Sequence, residues 1–124
     1  MNTAIRFVLD ELTPKEISEF GKKFDEMSNG MFRGLNGQKN GFNLKISSDN
    51  DWSVHKEEII KFISVFSGLI FQIKTLGGSI MIDVGVMPED MENVTYYNSF
   101  SFGDRLIKAL EANNVGLSMT IYKI

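Results

Sequence analysis

His55 is the only histidine, and Lys56, Glu57 and Glu58 follow it, so any acid/base or metal chemistry in this chain would centre there. Such chemistry needs partners: a second imidazole or a thiolate to hold a metal, or a nucleophile within reach of an oriented base. With one His and no Cys, neither a His/Cys metal site nor a cysteine nucleophile can be assembled, and the serines lack a suitably paired imidazole to activate them. His55 therefore reads as a solvated residue in the first turn of a helix. Asp49-Asn50-Asp51 has the spacing that opens a calcium loop, but the glycine at the sixth place and the glutamate at the twelfth are missing, and the triplet reads as a turn leading into a helix. Gly77-Gly78-Ser79 would cradle a phosphate only between a strand and a following helix, and here it closes a helix and opens a strand. Neighbouring carboxylates such as Glu57 with Glu58, or Asp10 with Glu11, diverge rather than pair. No catalytic residue, cofactor site or metal site is expected, and the chain reads as a protein without enzymatic activity.

Composition narrows the class further. A length of 124 residues suits one domain with a core of its own, and 43% hydrophobic with 23% charged residues is the balance of a globular chain. Thirteen basic against sixteen acidic side chains leave a net charge of -3, which argues against a partner bound by phosphate neutralisation, so no nucleic acid is expected. The N-terminus lacks a basic and then apolar leader pattern, which points to the cytoplasm. The most apolar stretch, between Lys61 and Lys74, is interrupted by Ser64, Ser67, Gly68 and Gln72 and falls short of the roughly 20 residues that span a bilayer, so no membrane is expected either.

The elements that must position any site follow from periodicity. Ala4 to Leu9 reads as a buried strand. Thr13-Pro14-Lys15-Glu16 places a capping Thr, a first-turn Pro and a returning Glu, after which Ile17, Phe20, Phe24 and Met27 share one helical face. The glycines at 30, 34, 37 and 41 predict a mobile or functional loop over 28–41. Phe42, Leu44 and Ile46 alternate as a strand. Ser53 is a candidate N-cap for a helix of about twenty residues, in which Ile59, Ile63, Phe66, Ile70 and Ile73 repeat at helical steps. That helix is apolar over more than one stripe, so it needs cover on two sides; Ser67-Gly68 could also kink it or end it before a strand. A strand from Ser79 to Met87, a strand from Val94 to Phe100, a helix capped by Ser99 or Ser101 with Leu106, Ile107 and Leu110 inward, and a closing strand with Leu117, Met119 and Ile121 complete the order β-α-β-α-β-β-α-β. The expected fold is a single α+β domain over residues 1–124, with about three helices on a mostly antiparallel or mixed sheet.

Surface chemistry is the remaining source of function. Acidic residues gather at Asp49 and Asp51, at Glu57 and Glu58, and from Asp83 to Glu92, with tyrosines at 96 and 97. Aromatic anchors among carboxylates suit a basic protein partner, with Asp49, Asp51, Glu89, Asp90, Glu92, Tyr96 and Tyr97 as the expected contacts. Ordinary solubilising charge is the competing reading.

Trp52-Ser53 before the long apolar helix, the strand Ile80 to Val86, and the helix Phe102 to Leu110 closing on Asn114-Val115-Gly116-Leu117-Ser118-Met119-Thr120-Ile121-Tyr122 form a pattern of their own. It resembles a bacterial family of small uncharacterised α+β domains in which a Trp introduces a central helix and the last strand finishes with an aliphatic residue and Tyr. The likeness covers roughly the last seventy residues and is carried by hydrophobic positions; residues 28–41 match poorly. Small acidic domains of this look act as immunity proteins in toxin systems, including contact-dependent growth inhibition. The resemblance implies a cytoplasmic immunity protein that binds a cognate toxin, a basic nuclease, and occludes its active site; it supplies no catalytic motif. Two rivals stand beside it. One is a structural or adaptor homodimer that buries the Ile59 to Leu76 helix between subunits. The other is a small-ligand pocket lined by Trp52, Phe62, Phe66 and Phe71, against which plain core packing competes.

Overall fold

The structure, a computed structural model, describes residues 1–28, 36–38, 41–87 and 100–122. Five strands and three helices alternate along the chain: β1 (Asn2–Val8), α1 (Pro14–Ser28), β2 (Asn36–Gln38), β3 (Gly41–Ser48), α2 (Trp52–Thr75), β4 (Ser79–Val86), α3 (Gly103–Asn113) and β5 (Gly116–Ile121). The sheet order is β2-β3-β1-β4-β5. β1 runs antiparallel to both β3 and β4, β2 runs antiparallel to β3, and β5 runs parallel to β4. The fold is thus α+β with a mixed sheet, and the β3-α2-β4 crossover straddles β1, which fills the sheet centre. β2 falls inside the stretch expected to be a loop. Its three residues hold by backbone pairing to Gly41–Asn43, which leaves no apolar alternation to read. The strand expected over 94–100 has its residues 94–99 outside the described residues, and Phe100 lies in no strand.

Local chemistry sets the helix limits. Thr13 and Glu16 form the expected reciprocal cap: the Glu16 N–H donates to Thr13 Oγ1 at 3.2 Å, and the Thr13 N–H donates to Glu16 Oε1 at 3.2 Å. Ile17, Phe20 and Phe24 are buried, whereas Met27 on the same face is half exposed; periodicity marks a face, not how far cover extends along it. α2 runs unbroken through Ser67-Gly68 for 24 residues. Its N-cap is Asp51 rather than Ser53, because the Asp51 carboxylate accepts the Ser53 N–H. Gly77, at φ 83°, closes it: the Gly77 N–H reaches the Lys74 carbonyl at 3.1 Å and the Gly78 N–H reaches that of Ile73 at 2.9 Å, satisfying carbonyls the helix leaves open. Asn114, at φ 51°, ends α3 in the same way, with Val115 N–H on the Leu110 carbonyl at 3.0 Å. At the start of α3 neither expected serine acts as shown: Ser99 lies outside the described residues, and the N-cap position is Phe102, without a side-chain bond, followed by Gly103 at φ 73°. Leu106 is buried and Leu110 partly so, but Ile107 is half exposed, since one helical step of about 100° carries it off the Leu106/Leu110 face.

One face of the sheet is sealed. Thr3, Ile5 and Phe7 of β1, Leu44 and Ile46 of β3, and Ile80, Ile82, Val84 and Val86 of β4 are all buried. α2 packs on β3 and β4, with α1 along one flank and α3 along the other. Phe7, Phe24, Phe62 and Phe66 meet at the junction, with ring centroids 4.8 Å apart for Phe7–Phe24, 5.0 Å for Phe24–Phe66 and 4.6 Å for Phe62–Phe66. Each such ring contributes about 1.5–3 kcal/mol by leaving water, so this cluster joins sheet, α1 and α2 into one unit. The expected cover on two sides of α2 is met only in part: Phe62 and Leu69 are buried, whereas Val65 and Leu76 stay about half exposed.

Two glycines of this frame predict opposite outcomes for one substitution. A Cβ at Gly41 would overlap the Phe7 carbonyl oxygen, so Gly41→Ala must push β3 off β1, whereas a Cβ at Gly68 meets nothing within 4 Å. In urea titrations Gly41→Ala lowers stability by about 2 kcal/mol or more, as overpacking does. Gly68→Ala raises it by about 0.5–1 kcal/mol through helix propensity.

Candidate functional site at the start of helix α2

The turn before α2 is built by its own carboxylates. Asp49 Oδ1 accepts the Asp51 N–H at 2.8 Å, and Asp51 Oδ1 accepts the Ser53 N–H at 2.9 Å. The Asp49 N–H donates to the Met1 carbonyl at 3.3 Å, which ties the turn to the first residue of the sheet. Both aspartates remain exposed, so their charges face solvent while one oxygen of each orders the backbone.

His55 corrects the sequence reading. It is fully buried, not solvated, and both ring nitrogens are engaged: Nε2 lies 2.9 Å from the Asp49 carbonyl and Nδ1 lies 2.6 Å from Thr3 Oγ1. A carbonyl only accepts, so Nε2 carries a proton and donates to Asp49, while Nδ1 and the Thr3 hydroxyl share one hydrogen bond. Thr3 is 52 residues from His55, so the pattern of neighbours around His55 could not reveal that β1 encloses it. The one imidazole therefore holds the fold together and has no free nitrogen for catalysis.

Trp52, the first residue of α2, holds the start of α3. Its indole N–H donates to the Ser101 carbonyl at 2.7 Å, and its ring meets Phe100 and Phe102 edge to face, each at 5.9 Å. On the other side of the turn, Met1, Asn2, Ser48, Asp49, Asn50 and Met87 line a concavity of about 450 Å³. Met87 lines this concavity and Phe100 packs on Trp52, so the described residues on either side of 88–99 both lie at the Asp49–Trp52 turn. Of the expected contacts, the structure places Asp49 and Asp51 here; Glu89, Asp90, Glu92, Tyr96 and Tyr97 lie outside the described residues. Phe100 and Phe102 were missed, because only the indole N–H of Trp52, which needs an acceptor when partly covered, hinted at a partner and nothing in the sequence says which.

Other acidic candidates disperse. Asp83 sits on the open face of the sheet, 3.6 Å from Arg6 Nε, rather than with the turn. Glu57 pairs with Arg105 at 2.7 and 3.3 Å, an exposed two-point contact that links α2 to α3 and is worth less than about 1 kcal/mol. Among the described residues no three His, Asp or Glu side chains come together in a way that would hold a metal. The four aromatics suggested for a ligand pocket do not converge: Phe62 and Phe66 are fully buried in the core, while Phe71 points outward at 72% exposure. Trp52 and Phe71 lie about 28 Å apart along the helix axis. No described helix is long and apolar enough to cross a membrane.

Compared with known protein families, curated proteins and solved structures, the chain matches none.

The buried His55 link predicts that Thr3→Val, which keeps the shape and removes the hydroxyl, leaves Nδ1 without its hydrogen-bond partner and lowers stability by about 1–3 kcal/mol in urea titration. Asp51→Ala removes the cap and costs about 1 kcal/mol, while Asp51→Asn, which keeps an accepting oxygen, stays within a few tenths.

Proposed function

We propose that this chain is a cytoplasmic immunity protein that binds a cognate toxin, a nuclease with a basic surface, and occludes its active site through the end of the molecule where α2 begins. The observation that carries the reading is the Asp49–Trp52 turn, where exposed carboxylates stand beside the partly exposed rings of Trp52 and Phe102. Aromatic area supplies affinity at such an interface, and the carboxylates steer a basic partner into it. The backbone bonds within the turn support the same reading, since a pre-ordered surface loses less entropy on binding. Glu89, Asp90, Glu92, Tyr96 and Tyr97 belong to the proposed contact set.

A second reading, self-association as a homodimer, is favoured by one observation of a different kind. Phe71 leaves 72% of its surface in solvent on the outer side of α2.

The immunity reading is tested by titrating the chain against the polypeptide encoded next to its gene, while scoring that polypeptide's toxicity. Nanomolar binding that abolishes toxicity is expected; a harmless neighbour that does not bind contradicts the reading. Asp49→Asn combined with Asp51→Asn removes two charges while keeping the acceptors of the turn, so association at low salt slows several-fold with stability unchanged. Reversing Glu89, Asp90 and Glu92 to Lys slows it further, and an unchanged rate in both variants removes the electrostatic contribution.

A further inference from the structure

β5 forms one margin of the sheet: β4 lies on its inner side, and among the described residues no strand lies on its outer side. The Tyr122 N–H donates to the Val86 carbonyl at 2.9 Å, and backbone groups alternate in direction along a strand. The N–H and C=O groups of Ser118 and Thr120 therefore also turn to β4, while those of Leu117, Met119 and Ile121 turn outward. Sheet edges are ordinarily blunted by charge, proline, a bulge or short length. β2, at the opposite margin, is only three residues long, but β5 runs six residues in unbroken register with β4 and carries no charged residue and no proline. Its side chains are short of cover as well. Leu117 and Met119 pack only partly on the core and Ile121, in phase with them, is 51% exposed, whereas their β4 neighbours Ile82, Val84 and Val86 are buried.

We infer that two copies of this chain pair antiparallel along β5 about a two-fold axis at Met119, joining their sheets into one. This inference rests on the self-association reading above and places its contact at the sheet edge rather than at Phe71. A two-fold axis perpendicular to the sheet turns the second β5 antiparallel and keeps the helices of both copies on one side. With Met119 opposite Met119, Leu117 of each copy falls opposite Ile121 of the other, so every outward N–H and C=O of these residues finds a partner. An axis one residue earlier or later sets Ile121 or Leu117 beyond the end of the facing strand. In the earlier case the residue met is Val115, whose N–H is already bonded to the Leu110 carbonyl.

Backbone and side chains together identify the occupant as a second copy. An open strand edge takes another extended strand, which offers donors and acceptors at the matching spacing. Residues directly opposite in an antiparallel pair share a face. In this register Leu117 meets Ile121 and Met119 meets Met119 on the helix side, while Ser118 meets Thr120 on the open side. Aliphatic groups thus face aliphatic groups and hydroxyls face hydroxyls, and the half-covered row from Leu117 to Ile121 gains cover on its outer flank. The length of the edge sets the strength: six residues at about 3.3 Å each make a contact about 20 Å long, which buries less than the roughly 1,200 Å² of a standard interface. The expected dimer is reversible, with a micromolar Kd.

Sedimentation velocity across a concentration series reaching the millimolar range tests the dimer, and cross-linking tests its register. The wild-type chain is expected to shift from monomer to dimer. Met119→Pro removes the outward donor at the axis while sparing the bonds to β4, and it weakens the dimer about tenfold or more, whereas Phe71→Asp leaves the dimer unchanged. The chain has no cysteine, so Ser118→Cys and Thr120→Cys each introduce a single thiol. Across the axis these two positions form a non-hydrogen-bonded pair with Cα atoms about 4.5 Å apart, within disulfide reach, whereas each lies more than about 7 Å from its own counterpart. Mild oxidation should therefore link copies carrying Ser118→Cys to copies carrying Thr120→Cys, and neither variant to itself. A wild-type chain that stays monomeric throughout overturns self-association and with it this contact. A dimer that survives Met119→Pro, that Phe71→Asp abolishes, or in which the mixed thiols do not link overturns the sheet-edge contact while leaving self-association standing.

Discussion

The structure depends on burying one broad face of a single long helix. His55, Ile59, Phe62, Ile63, Phe66, Leu69, Ile70 and Ile73 of α2 are all buried and lie along that face. The β3-α2-β4 crossover lays it over the sheet, and α1 and α3 close its flanks. The outward side, which carries Glu57, Lys61, Gly68 and Phe71, stays exposed. Each other element can be understood as cover: β1 supplies Ile5 and Phe7 beneath, α1 supplies Phe20 and Phe24 on one side, and α3 brings Leu106 to the other.

The two ends of α2 are fixed by different chemistry, and the difference separates structure from function. The C-terminal end is closed by backbone bonds around Gly77 and Gly78, where a Cβ on Gly78 would come within 2.6 Å of Ile73 and Leu9. It feeds β4 directly. The N-terminal end is fixed mainly by side chains: the Asp49 and Asp51 carboxylates accept the Asp51 and Ser53 N–H groups, the Trp52 indole donates to the Ser101 carbonyl, and His55 bridges Thr3 and the Asp49 carbonyl, while the Asp49 N–H reaches the Met1 carbonyl. Polar and aromatic groups gathered to hold this end also present charge and ring surface outward, so the proposed contact site is a by-product of how the helix is anchored.

Much of this fold was legible where local chemistry dominates. The Thr13/Glu16 cap, the alternation in β3 and β4, the glycine stop after α2 and the mixed α+β arrangement follow from spacing and residue type. What was not legible depends on distant contacts. His55 looked solvated because its neighbours in sequence are charged, yet its environment is Thr3 and the Asp49 carbonyl. Phe71 and Phe66 looked alike in the apolar pattern, and only the packing of α1 and α3 decides that one faces the core and the other faces solvent. Asp83 looked like part of an acidic group with residues 89–92, but the pleat turns it toward Arg6 on the open face of the sheet. For the candidate site, Asp49 and Asp51 were legible as a turn, and the aromatic side of the site was not, because it depends on which carbonyl the Trp52 indole finds.

In the resulting account, the end of the molecule where α2 begins meets a basic partner. Backbone hydrogen exchange on the chain alone and with the polypeptide encoded beside its gene tests this most directly, because it reads every amide without altering a residue. The account predicts slowed exchange at residues 49–54 and 100–104 when the partner is added, with no partner-dependent change along the outer face around Gly68 and Phe71. Slowing confined to that outer face, or to the β5 edge, would contradict it.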